Sequence, residues 1–388
     1  MSDARALASS RLRIHTVTPL LVLALALLCP APRALAAELP AGAATPDAQQ
    51  LIRMLQIRVA EQPVRSRPGW RAPKVILLSS EVWPRRDALQ KVAPDVRFVE
   101  VNAATAARDL AAADAAIDLC APKILEQAPQ LQWVQSLWAG VEHCVREQVV
   151  QDRHLLVTNM QRVAGPSMAE HVMAMMLVLS RQLPYFLDEQ QHARWADKPS
   201  MPQLTDLDGK TLLVVGLGGI GTEVAQRAHA FGMRVIATRA SGRNGPDYVS
   251  YVGLPEELPT LAAGADYIVN CTPLTAQTTG IFNKAFFALL KPSAYFISVG
   301  RGQSTVTADL IEALKTHRLA GAGLDVTDPE PLPADSPLWR LPNVVLTPHV
   351  SAVTPLAEEI RWTLLLDNLR RYVAGEPMLS VVDIGKGY

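Results

Sequence analysis

Three glycines in the middle of the chain, Gly216, Gly218 and Gly221, constrain the fold more than any other feature. The spacing G-x-G-x-x-G is common in turns, but here the strand-like Leu212-Leu213-Val214-Val215 precedes it. A helical stretch, Thr222 to Ala230, follows. In that context the first glycine closes a tight turn, the second admits backbone N–H groups to a diphosphate, and the third lets helix and strand pack closely. The helix amino terminus then faces the anion. The expected product is a dinucleotide cradle made of Gly216, Gly218, Gly219, Ile220 and Gly221. A ligand-free glycine turn is the plainer alternative, and the flanking strand and helix weigh against it.

Versions of this unit that bind NAD carry Asp or Glu about 20 residues on, at the end of the second strand, to hold the ribose hydroxyls. Here the second strand, Val235 to Thr238, runs into Arg239-Ala240-Ser241-Gly242-Arg243, with no acid between Glu223 and Asp247. A carboxylate would repel a 2′-phosphate, whereas Arg239, Ser241 and Arg243 can donate to one. The expected cofactor is therefore NADP(H), with NAD(H) as the second choice. A solvated surface cation is the plain reading of either arginine alone.

The 388 residues suffice for two domains. Lys plus Arg and Asp plus Glu balance at 37 each, which leaves no broad basic surface for nucleic acid. Strand and helix patterns alternate from Val75-Ile76-Leu77-Leu78 to Leu131–Gln135, and again from Leu212 to Val344–Leu346, so both halves should be α/β with parallel sheets. Between them a helical pattern runs from about Ser167 to Trp195, where Pro184 is a candidate kink. A last helix, Pro355 to Ala374, ends at Gly375. The organisation expected is a substrate domain of residues 74–170 and 352–388, interrupted by a cofactor domain at 171–351, with hinges near Ser167 and Ser351. Residues 37–73 should be a linker or surface strap.

Residues 1–36 differ in kind. Arg5, Arg11 and Arg13 precede the apolar run Leu20 to Leu28, and Ala34-Leu35-Ala36 is the small-x-small pattern at which export signals are cut. The run is too short for a mature span. The reading is a cleavable signal peptide, with an exported mature protein that has no stable membrane association. An uncleaved anchor, an organelle presequence or a misassigned start, with a cytoplasmic protein, are the alternatives. Cys29, Cys120, Cys144 and Cys271 show no metal-ligand spacing, so free buried thiols are expected and no metal is.

Five ordered motifs then carry a resemblance. Gly216 to Gly221, Asn270-Cys271-Thr272-Pro273-Leu274-Thr275, Val299-Gly300-Arg301-Gly302, Leu324-Asp325-Val326 with Pro329-Glu330-Pro331, and Thr347-Pro348-His349 resemble the D-isomer-specific 2-hydroxyacid dehydrogenases over residues 75 to 388. Gln135-Ser136-Leu137-Trp138-Ala139-Gly140-Val141-Glu142 is most similar to the glyoxylate/hydroxypyruvate reductase branch. The resemblance implies two Rossmann-like doubly wound domains, one inserted in the other. It also implies a homodimer, a small 2-keto or 2-hydroxy acid as substrate, and further cofactor contacts from Thr272, Pro273, Thr278, Val299, Arg301 and Asp325. Family members usually carry an aromatic and Glu where this chain has Thr327 and Asp328.

The residue chemistry agrees. Reduction of a 2-keto acid needs a cation for the carboxylate, an acid for the new alkoxide, and a partner that keeps the acid protonated. Arg301, His349 and Glu330 are of these types, although Asp325 and Asp328 compete for the partner's place. Asp325 can instead orient the nicotinamide carboxamide or the local backbone. Trp138, Ala139 and Gly140 should offer backbone N–H groups to the substrate carboxylate. Trp138 either walls the pocket or packs in the core, and Glu170-His171 reads as structural. The rival functions are a formate- or phosphite-type dehydrogenase and a non-catalytic dinucleotide sensor with the same triad.

Overall fold

The computed structural model, which describes residues 47–198 and 201–387, forms the short apolar strands into two parallel sheets and a small antiparallel pair. In chain order the strands are β1 Val59–Pro63, β2 Val75–Leu78, β3 Arg97–Glu100, β4 Ala115–Ile117, β5 Trp133–Gln135, β6 Leu156–Thr158 and β7 Thr211–Val215. The remainder are β8 Arg234–Thr238, β9 Tyr251–Gly253, β10 Tyr267–Asn270, β11 Tyr295–Ser298, β12 Gly321–Leu324, β13 Val344–Leu346 and β14 Pro377–Leu379. The substrate lobe holds the order β3-β2-β4-β5-β6, and the cofactor lobe β13-β12-β11-β10-β7-β8-β9. Both are doubly wound orders, and their ligands belong at the carboxyl ends of the strands.

Each sheet is covered on both faces, as parallel sheets require. In β7, Leu212 and Val214 enter one core, and Leu213 and Val215 enter the other. In β2, Ile76 and Leu78 face the final helix, while Leu77 faces the opposite layer. The final helix Pro355–Ala374 is capped by the Thr354 hydroxyl, which accepts from the Ala357 amide at 3.1 Å, and it stops at Gly375 in the left-handed region. Its Ile360, Trp362, Leu365, Leu369 and Tyr372 return to the substrate lobe's core, so the chain crosses between lobes twice.

Several expectations need correction. Residues 37–73 are more than a linker: where they are described, Leu51, Ile57 and Val64 are core residues, and β1 pairs with β14, Val59 opposite Leu379. The long helix is two helices, Gly165–Ser180 and Leu183–Gln191, parted at Gln182, which has φ +52°. Pro184 lies in the first turn of the second helix, where a missing N–H costs nothing. Met168 and Ala169 already pack in the cofactor core, so the first crossing comes at the start of this helix. Cys120 and Cys144 are not free thiols but a disulfide with Cα atoms 5.4 Å apart. Cys271 stays free, its thiol pushed up to about 12 by burial and so inert. The signal-like segment lies outside the described residues. Among those described, no helix is long and apolar enough to cross a membrane.

Candidate active site

The glycine loop does what its spacing demands. The helix Gly219–Ala230 begins directly after β7, with no acidic residue in its first turn to compete with an anion. A Cβ on Gly221 would collide with the Gly216 carbonyl, so only glycine lets helix and strand approach this closely. Beyond Gly218 the space is open. Beside it, at the end of β8, Arg239 Nε donates to Ser241 Oγ at 2.8 Å, and Nη1 to the Asn244 carbonyl at 2.8 Å. Arg243 is differently placed. It is paired with Glu257 at 2.7 Å and with the Tyr251 hydroxyl at 3.0 Å. Tyr251, the Leu254 amide and Arg243 together pull the Glu257 carboxyl down to about 2. A 2′-phosphate would therefore meet Arg239 and Ser241 first, while Arg243 is already neutralised.

After β10, Asn270 organises the next loop. Its buried side chain donates to Ser298 Oγ at 3.1 Å and Ser304 Oγ at 2.7 Å, and accepts from the Thr272 amide at 3.0 Å and hydroxyl at 2.7 Å. Thr278 closes the turn by donating to the Pro273 carbonyl at 2.6 Å. Val299 packs its side chain into the core. These three residues shape the loop walls, and only Pro273 keeps an exposed side chain.

The charged groups converge from three strand ends. Arg301 follows β11, Glu330 lies beyond β12, and His349 follows β13. His349 Nδ1 meets Glu330 Oε1 at 2.6 Å, which fixes the tautomer and leaves Nε2 on the other side of the ring. Its backbone is left-handed, φ +54°, and its amide donates to the Asp325 carbonyl at 2.8 Å. Of the three candidate acids, Glu330 is thus the partner. Asp325 is buried and orients the loop, accepting from the Val350 and Ser351 amides at 2.9 and 3.1 Å and from the Thr347 hydroxyl at 2.6 Å. Burial alone would raise its carboxyl, but these hydrogen bonds hold it below the usual aspartate range. His171 braces the same loop through Thr347 Oγ1 at 2.9 Å, and Glu170 lies 3.8 Å from Arg227, so both are structural. Thr327 and Asp328 only shape the approach to Glu330, through contacts to Pro329 and Thr307.

Opposite stands the loop after β5. The Trp138 amide is spent on Ser136 Oγ at 3.1 Å, so of the three expected donors only the amides of Ala139 and Gly140 lack a protein acceptor. Asn159 Nδ2 fixes the loop by donating to the Ala139 carbonyl at 2.7 Å. Trp138 is no core residue: it is 41% exposed, with the Arg361 guanidinium 4.6 Å above its ring. A Cβ on Gly140 would run into the Arg301 guanidinium, which therefore lies against this loop. Sequence reasoning missed what aims it. Glu142 Oε1 accepts from Arg301 Nε at 2.6 Å, and Arg301 Nη1 donates to the Gly300 carbonyl at 2.9 Å. Nη2 is left towards Gly140. Glu142 opens the short helix Glu142–Val145 that the disulfide fastens at Cys144.

Residues 173–351 match the family described as D-isomer specific 2-hydroxyacid dehydrogenase, NAD binding domain. A human glyoxylate reductase/hydroxypyruvate reductase is 32% identical over 260 residues, 66% of this chain and 79% of that protein. Among solved structures, an NADPH-dependent glyoxylate/hydroxypyruvate reductase from Sinorhizobium meliloti, in complex with NADP and sulfate, aligns with TM-score 0.71 at 29% identity. It covers 81% of this chain and 100% of its own. A D-isomer specific 2-hydroxyacid dehydrogenase from Xanthobacter autotrophicus, in complex with NADPH and MES, gives 0.70 at 29%, covering 82% and 100%.

Proposed function

The chain belongs to the D-isomer-specific 2-hydroxyacid dehydrogenases, oxidoreductases that act on CH–OH donors with a nicotinamide dinucleotide, and from that premise we propose that it reduces a small 2-keto acid to the D-2-hydroxy acid using NADPH. Glyoxylate and hydroxypyruvate are the substrates of choice. The observation that carries this reading is the placement of Arg301 and His349 at the carboxyl ends of β11 and β13 in one parallel sheet, with the bare Gly140 loop against the Arg301 guanidinium. These polar groups match a carboxylate next to a carbonyl.

The residues present fit the dinucleotide. The Gly218 turn and the acid-free helix start would hold the diphosphate, and Arg239 with Ser241 the 2′-phosphate. When bound, the reduced nicotinamide supplies a hydride to the carbonyl carbon. The amides of Ala139 and Gly140 bind the substrate carboxylate, and Arg301 Nη2 polarises the carbonyl as negative charge grows on its oxygen. His349 Nε2–H gives its proton to that oxygen, and Glu330 holds the ring in place by accepting from Nδ1–H. Oxidation of the hydroxy acid uses the same groups in reverse. Initial rates with a panel of 2-keto acids, run with NADPH and NADH in parallel, test substrate and cofactor together. Turnover of glyoxylate or hydroxypyruvate preferring NADPH supports the proposal. Tight NADPH binding without turnover of any 2-keto acid makes the protein a dinucleotide sensor.

We further infer a homodimer and export. The dimer rests on the family and is tested by sedimentation. Export is supported by the signal-like residues 1–36 and by the Cys120–Cys144 disulfide, a bond favoured in oxidising compartments. A mature amino terminus near Ala37 by mass spectrometry, with both cysteines oxidised, would support it. An intact Met1 with reduced thiols would place the enzyme in the cytoplasm.

A further inference from the structure

On the far side of the substrate lobe from the cleft, the segment from Val64 to Arg71 crosses the amino ends of β5 and β6. It encloses there a groove of about 520 Å³, a volume within the range of small-molecule sites. The groove is basic, with walls that include Arg67, Arg71, Arg153 and His154 but no carboxylate residue. Among the described residues, Arg71 alone of these has an acidic partner, the buried Asp114 behind it at 2.6 Å. Arg67 donates to the His154 carbonyl at 2.7 Å. Arg153 donates to the carbonyls of Leu125, Pro129 and Leu131 at 3.1, 2.9 and 2.7 Å. Those contacts hold the guanidiniums in place and leave two positive charges uncompensated. Burial lowers the basicity of Arg153, a cost that a bound anion would offset.

A second observation comes from the walls. Among the described residues, three that line the groove carry a buried polar atom with no protein partner, Trp70 Nε1, the Tyr372 hydroxyl and Gln132 Oε1, each covered rather than open to the groove. Buried groups of this kind ordinarily are hydrogen-bonded. Tyr372 is fully buried and its ring lies 4.4 Å from that of Trp133, so its hydroxyl cannot turn to solvent. A groove lined by two guanidiniums without an acidic partner, and by no carboxylate, suits acceptor oxygens carrying negative charge.

We propose that this groove is a second ligand site, separate from the catalytic cleft, which takes a small organic anion bearing carboxylate or phosphate oxygens. The site does not depend on the catalytic reading, and its test is local. In full-length protein saturated with NADP, the seven tryptophan indole N–H resonances are followed by NMR, with Trp70 assigned through Trp70→Phe. Citrate and inorganic phosphate are titrated separately. The expected result is a saturable shift of the Trp70 resonance in the low-millimolar range, weakened about tenfold by Arg67→Gln. A response to citrate alone identifies a carboxylate ligand, to phosphate alone a phosphorylated one, and to both a site that reads charge. A Trp70 resonance that moves with neither anion overturns the proposal. So does a shift that Arg67→Gln leaves unchanged.

Discussion

The two lobes are built from the same parts and present opposite chemistry to the cleft. Each is a parallel sheet sandwiched by helices, with its ligand-facing loops at the carboxyl ends of the strands. The cofactor lobe sends charged side chains from those ends: Arg239 after β8, Arg301 after β11, Glu330 beyond β12 and His349 after β13. The substrate lobe offers bare backbone at Ala139 and Gly140, one exposed indole at Trp138, and one carboxylate, Glu142, that serves the other lobe's arginine. Chemistry is thus concentrated on one lobe, and orientation on the other. Substitutions on the cofactor side should strike kcat or cofactor affinity, whereas those on the substrate side should strike the fit of the keto acid.

The sharpest test is His349→Ala. Loss of a positioned proton donor should lower kcat about 10²–10⁴-fold while leaving the NADPH dissociation constant within a factor of two or so, as followed by fluorescence titration. Glu330→Gln should fall in the same direction by less, because the histidine keeps its place. Gly140→Ala is the counterpart on the other lobe. Its methyl would displace the Arg301 guanidinium, and a misplacement of about 1 Å costs on the order of a hundredfold in kcat/KM for the keto acid. Cofactor binding should be untouched. An NADPH affinity that fell in step would show that the lobes do not divide the work.

The division also explains what could be read beforehand. Groups that act through the backbone leave marks in sequence, because only glycine fits, and the loops at Gly216 and Gly140 were legible for that reason. Arg301, Glu330 and His349 were legible because each follows a strand at motif spacing. Glu142 carried no such mark, since its partner lies 159 residues away and nothing local distinguishes it from a solvated helix-start acid. The Cys120–Cys144 bond, across 24 residues, and the β1–β14 pairing were hidden likewise. So were β6 and β9, three residues each, too short to show a period. The assignment of Arg243 to the cofactor was plausible from charge alone, and Glu257 takes up that charge through Tyr251 and Arg243 geometry that only the fold brings together.

That last contrast can be measured within the cofactor lobe itself. Removing a charge-assisted contact to a 2′-phosphate costs about 1.5–3 kcal/mol, so Arg239→Ala should raise KM for NADPH about 10–100-fold and leave KM for NADH nearly unchanged. Arg243→Ala should change either by no more than about twofold, because the arginine is exposed and already paired. Equal losses in the two variants would mean that cofactor binding breaks the Arg243–Glu257 pair.

The effect that most refines the comparison belongs to Glu142. Burial pushes its carboxyl up, but the charge and hydrogen bond of Arg301 outweigh this and hold it below the usual glutamate range. A depressed carboxyl contributes fully above its unfolded value of 4.5 and is lost only as pH falls through the lower folded value. Across neutral pH the pair should therefore stay intact, and KM for the keto acid should show no inflection from Glu142. Glu142→Gln keeps the shape and removes the charge, so it should raise that KM about tenfold at every pH above 4.5. The difference from the unaltered enzyme should narrow below that pH. If KM falls instead, Glu142 competes with the keto acid for Arg301 rather than aiming the guanidinium at its carbonyl, and the substrate lobe would be a gate as well as a seat.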